Sequence, residues 1–168
     1  MVDPQSTSRL FGANDRRTRR TDHCGEGCLG VIYLDSCIVI YAVEDAGALG
    51  TAVRQRLASI ADETVAISSL VKLECLVGPL RNDDLALADH YRRAFEQFAL
   101  VELSDVQYQR AAELRARHGI TTPDALHLAA AQGAGCTELW TADSRLAAVS
   151  HGLAVDVLAP GPGGILER

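Results

Sequence analysis

At 168 residues, 48% of them hydrophobic, the chain is long enough for one domain with a sizeable core. Its formal net charge of −6 excludes bulk charge as a reason to bind nucleic acid, so any anionic polymer would need a local Arg patch or bound cations. No apolar run reaches the ~18 residues of a membrane span, no signal-peptide pattern opens the chain, and the five cysteines have no framework spacing, so a cytoplasmic protein with reduced thiols is expected.

Residues 1–30 are polar and lack sustained periodicity, with five basic and four acidic side chains. They predict a disordered arm, or a segment upstream of the true start. Its RRTRR run (Arg16–Arg20) reads as a solvated tail. The group His23, Cys24 and Cys28 offers three soft ligands where a closed zinc site needs four. From Val31 the pattern becomes regular. VIYLD is a short buried strand, residues 37–44 a helical turn or two, and Gly47–Ile60 a helix. TVAIS (Thr64–Ser68) is a second strand. Ser68 or Ser69 caps the helix SLVKLECLV, which Gly78-Pro79 ends. Asn82 caps the next helix, whose stripe is Ala88, Tyr91, Phe95 and Phe98. This stripe fits either the interior or a dimer surface.

LVEL (Leu100–Leu103) is a third strand, and Ser104 opens a helix that Gly119 stops. Thr121-Thr122-Pro123 opens another, DALHLAAAQGA, ending near Gly133 and Gly135. ELWT (Glu138–Thr141) is a fourth strand, DSRLAAVSHG a short helix, and AVDVL a fifth strand. Residues 159–168 form a Pro/Gly-rich flexible tail. Strands alternating with helices predict a parallel sheet with helices on both faces, so 31–158 is expected to be one α/β domain.

In open parallel sheets, ligands collect beyond the carboxyl ends of the strands. Asp35 ends the first strand and Asp143 follows the fourth, so both belong at that edge. Asp124 stands at a helix N-terminus. Glu74 is four residues after Leu70 and three before Val77, which predicts that it shares a helix face with apolar residues. Alone, Asp124 reads equally well as a first-turn dipole acid and Asp143 as a helix cap. If the four converge, two unit charges 4 Å apart repel by about 4 kcal/mol at an effective dielectric of ~20. Protons or cations must then be present. A hard divalent cation, Mg²⁺ or Mn²⁺, suits oxygen ligands.

The segments YLDSCIVIYA, SSLVKLECLVGPL, TTPDALHLAAA and LWTADSRL, in that order and on this frame, resemble the PIN-domain family of metal-dependent ribonucleases, and within it the VapC-like toxins of toxin–antitoxin pairs. The likeness spans roughly residues 31–158. It implies a three-layer α/β/α sandwich around a central parallel sheet, with Asp35, Glu74, Asp124 and Asp143 as the acidic, metal-holding and catalytic site. Many relatives carry Asn or Asp pairs where this chain has Thr141-Ala142-Asp143. The likeness also implies cleavage of RNA leaving a 5′-phosphate, a homodimer, and an antitoxin that inserts near the acidic cleft.

On this reading Asp35 and Asp124 are the primary ligands. Glu74 and Asp143 bind a second ion, or hold and deprotonate the attacking water. Ser36 and Thr141 have hydroxyls beside these acids and either orient metal-bound water or act as ordinary caps. His127 reads as a satisfied core histidine or one that supports the acids, and Arg145 is the best-placed phosphate contact. Arg81, Arg92 and Arg93 are weaker contacts. Cys37 and Cys75 read as small buried residues. Phosphate-transfer folds with an Asp after the first strand fit less well. One kind wants an acid at position 37, which is Cys, and another a Lys beyond a late strand, whereas Lys72 is the only lysine. An RNA-processing nuclease outside a toxin system and a non-catalytic binding module are the remaining rivals.

Overall fold

The computed structural model describes residues 30–159. The expected arm with its RRTRR run, the His23, Cys24 and Cys28 group, and the tail beyond Ala159 lie outside the described residues. In chain order the elements are β1 (Val31–Leu34), α1 (Ser36–Glu44), α2 (Ala48–Ser59), β2 (Thr64–Ser68), α3 (Ser69–Arg81), α4 (Leu85–Phe95), β3 (Ala99–Val101), α5 (Asp105–His118), α6 (Thr122–Gly133), β4 (Glu138–Thr141), α7 (Ser144–Val149) and β5 (Ala154–Asp156).

All five strands are parallel, in the order β3-β2-β1-β4-β5. The chain first steps outward from β1 to β2 and β3. It then crosses back to β4 and steps outward again to β5. Because parallel crossovers are right-handed, reversing the direction of travel moves the later helices to the other face of the sheet. This yields the expected α/β/α sandwich. Helix α1 packs on α2 and α3, and α3 on α4, while α5 packs on α6 and α6 on β4. The reversal leaves a crevice between the carboxyl ends of β1 and β4, where parallel sheets place ligands.

Outside α3, the core sits where the periodicity put it. Tyr33, Leu34, Ile67, Leu139 and Trp140 fill the sheet, and α6 is buried from Ala125 to Ala131. Tyr91 and Phe95 are buried, so the aromatic stripe of α4 faces inward. Ser104 opens α5 through a capping box with Gln107, and Gly119 closes it at φ +68°.

Three local expectations need correction. Gly78-Pro79 does not end α3, which runs on to Arg81. Pro79 stands in the last turn, and the carbonyls of Gly78 and Pro79 still accept from Asn82 N and Asp84 N. Asp84, not Asn82, caps α4, accepting from Leu87 N at 2.9 Å. The third strand is Ala99–Val101, which starts one residue before LVEL and ends two residues before it does.

The buried face of α3 is Val71, Cys75 and Pro79, whereas Leu73 and Val77 are 59% and 42% exposed. Glu74 therefore lies beside the core face and not among core residues. The run SLVKLECLVGPL is apolar on several sides, so spacing alone could not choose its inner face.

Candidate active site

Asp35 is the residue after β1. Its backbone N–H donates to Trp140 O at 3.0 Å, which ties it to β4. It holds the N-cap position of α1, yet its carboxylate caps nothing. That carboxylate is buried and points into a polar pocket. The pocket is lined by Asp35, Ser36, Cys37, Glu74, Asp124, His127, Asp143 and Arg145, among others.

Three donors crowd together there. Oxygens of Asp35 and Glu74 and a ring nitrogen of His127 all lie within 4.8 Å of one another. His127 Nε2 is 2.9 Å from Glu74 Oε2 and 3.5 Å from Asp35 Oδ1. Burial alone would raise the pKa of Glu74. The hydrogen bond that His127 gives it, with help from Ser36, outweighs that and holds the carboxyl below its ordinary range. Glu74 is thus an anion at neutral pH. Its partner Asp35 accepts from Thr141 Oγ1 at 2.7 Å, Ser36 Oγ at 3.3 Å and Cys37 Sγ at 3.4 Å.

The other two acids line the same pocket but are tethered to their own helices. Asp124 Oδ2 accepts from the backbone and hydroxyl of Thr121 in a capping box. Asp143 caps α7, accepting from Arg145 N at 2.8 Å. Each keeps one oxygen outside these bonds. Arg145 is 88% exposed at the rim, its Nε 3.6 Å from Asp143. Burial pushes the Cys37 thiol far up and the Cys75 thiol to about 12, with the charges of Asp35 and Glu74 adding respectively. Both are neutral, unreactive thiols. Cys37 Sγ instead accepts from Ala142 N at 3.3 Å, fastening the loop after β4 to α1.

A family model described as "PIN domain" matches residues 32–152. The chain belongs to the PIN-domain family. Among solved structures, this PIN domain is similar to a chain of a toxin–antitoxin complex from Klebsiella pneumoniae, with a TM-score of 0.62 and 26% identity, covering 74% of this chain and 95% of that one. It is also similar to a chain of VapBC2 from Rickettsia felis, solved bound to a DNA fragment from their promoter. That match has a TM-score of 0.65 over 74% of this chain and 97% of the other, and its 18% identity shows the fold alone. No curated protein matches this PIN domain by sequence.

Sequence reasoning missed two residues that the site uses. Tyr33 Oη is 2.9 Å from His127 Nδ1 and 2.7 Å from Ser68 Oγ. A signal was present for Tyr33, since it stands two residues before Asp35 and shares its strand face. Nothing in the sequence marked Ser68 as more than a helix cap.

Proposed function

We propose that this PIN domain is a divalent-metal-dependent endoribonuclease, the toxin of a toxin–antitoxin pair that inhibits translation and growth in the cytoplasm. The observation that carries this reading is the paired carboxylates of Asp35 and Glu74, held beside His127 at the switch point of the sheet. Two anions at that separation want a cation, and their oxygens fit a hard one, Mg²⁺ or Mn²⁺. Asp35 and Glu74 would hold it, with the remaining oxygens of Asp124 and Asp143 completing this site or forming a second. Bound there, such an ion would lower the pKa of water and offset phosphoryl charge.

The chain's own residues supply the rest. The lowered pKa of Glu74 suits a ligand that stays charged, rather than a base poised near neutrality. Thr141, Ser36 and Cys37 orient Asp35. Arg145, at the rim, would meet a phosphate of the RNA backbone. The antitoxin partner is supported by the likeness to toxin–antitoxin complexes. An exposed apolar strip of Leu73, Val77 and Leu80 on α3 with Leu85 on α4 gives an antitoxin, or a second copy in a homodimer, a surface to cover.

RNA cleavage by the purified chain in Mg²⁺ or Mn²⁺, beside Asp35→Ala and Asp124→Ala, tests this. Cleavage should vanish in EDTA and fall at least a hundredfold in Asp35→Ala, by about 3 kcal/mol of lost transition-state stabilisation. Undiminished cleavage in EDTA, or in both variants, would sink the proposal. Active enzyme that is harmless when expressed without an antitoxin would instead favour an RNA-processing role.

A further inference from the structure

Behind the acids runs a chain of buried hydrogen bonds that the proposed reaction does not itself use. It passes from Ser68 Oγ to Tyr33 Oη, then to His127 Nδ1, and from His127 Nε2 to Glu74 and Asp35. Ser68, Tyr33 and His127 are all essentially without solvent exposure. They come from three elements, the end of β2, β1 and α6, and Glu74 adds a fourth, α3.

We propose that Tyr33, backed by Ser68, is a positioning residue: its hydroxyl fixes His127 with Nε2–H turned toward Glu74 and Asp35, so that the two carboxylates are held as one cation-binding pair. The hydrogen-bond inventory leaves little freedom. An ionised carboxylate only accepts, so the nitrogen beside Glu74 must carry a proton. In the neutral ring Nδ1 is then bare and needs a donor. Tyr33 supplies it, and Ser68 in turn donates to Tyr33. An ordinary phenol keeps its proton at neutral pH, so the hydroxyl remains a donor. Rotating the imidazole would break the bonds at both ends and leave buried polar groups unsatisfied.

Ser68 supports this assignment independently. It occupies the N-cap position of α3, where its hydroxyl would ordinarily accept from the helix backbone, yet it makes no such bond. The hydroxyl faces Tyr33 instead. Filling the core would require only a ring at position 33, as Phe would provide, and no serine at the cap turned away from its helix.

The proposal rests on the cation site proposed above, and its test separates the two. Tyr33→Phe keeps the ring and removes the hydroxyl. Long-range proton–nitrogen spectra of His127 and Mn²⁺ titration calorimetry are recorded on wild type, Tyr33→Phe and Ser68→Ala. Wild type should show the Nε2–H form. Tyr33→Phe should show mixed tautomers and bind Mn²⁺ about 10- to 100-fold more weakly, the usual loss when a partner behind a metal ligand is removed. Ser68→Ala should move both readouts the same way by less, and it serves if Tyr33→Phe does not fold. Variants that keep a pure Nε2–H signal and wild-type Mn²⁺ affinity would overturn the proposal, even with a lowered Tm, and would reduce Tyr33 to core packing. Failure of the wild-type chain to bind Mn²⁺ would overturn the cation site itself. The tautomer comparison would then still decide whether Tyr33 orients His127.

Discussion

Two of the four site acids stabilise their own helices and two do not. Asp124 and Asp143 each commit an oxygen to a helix N-terminus, whereas Asp35 and Glu74 cap nothing and face each other across His127. A buried carboxylate without such local use must be held by other side chains, and Thr141 is the shortest contact to Asp35. Thr141→Val keeps the shape and removes the donor. RNA cleavage, the proposed activity, should fall about 10- to 100-fold while the far-ultraviolet spectrum stays native. Glu74 carries a pH signature. Its folded pKa lies below the ordinary value of 4.5. The stability it contributes is present above the unfolded pKa and is lost as pH falls through the folded one. Glu74→Gln should therefore flatten the decline of Tm on acidification below about pH 4.5, as calorimetric scans from about pH 6 down to about pH 3 would show. A variant whose decline is as steep as wild type would mean that Glu74 gains nothing from His127.

The elements are held by a few close contacts. A Cβ at Gly50 would lie 2.0 Å from the carbonyl oxygen of Asp45 and 2.7 Å from that of Tyr41. Both are backbone atoms, so neither can swing aside. Gly50→Ala should destabilise the α1–α2 corner by about 1–3 kcal/mol in urea unfolding, despite the better helix propensity of Ala. Asp84→Ala should cost about 1 kcal/mol through its lost cap. Helix-level reading of the sequence succeeded where one signal dominated. Ser104, Gly119 and the Thr121-Thr122-Pro123 start all behave as their chemistry dictates. It failed at α3, where Pro79 sits late enough in the helix to be tolerated and apolar residues point several ways. Glu74 does line the pocket, but the inner face of α3 is not the one that its spacing from Leu70 and Val77 suggested.

For the molecule as a whole, strand order was the quantity that local patterns could not supply. Alternating strands and helices implied a parallel sheet. Only the observed order, with β1 between β2 and β4, explains why Asp35 and Asp143 are neighbours along that edge. The hydrogen-bond directions behind the acids were equally hidden, because the roles of Tyr33 and Ser68 depend on which strands lie side by side. A cation that binds only the folded site should stabilise the entire domain. At a hundred times its Kd, Mn²⁺ should add about 2.7 kcal/mol and raise Tm by several degrees, and Asp35→Ala should abolish the shift.

The same strand order bears on biosynthesis. Thr141 and Asp35, which are in contact, are 106 positions apart in the chain. β4 is the fourth of the five strands to be made, and it lies inside the sheet, between β1 and β5. A nascent or truncated chain that stops before β4 lacks the wall of the crevice and the residues that orient Asp35. If the finished domain attacks RNA, the ribosome that builds it therefore does not face a working enzyme until almost the whole domain has emerged.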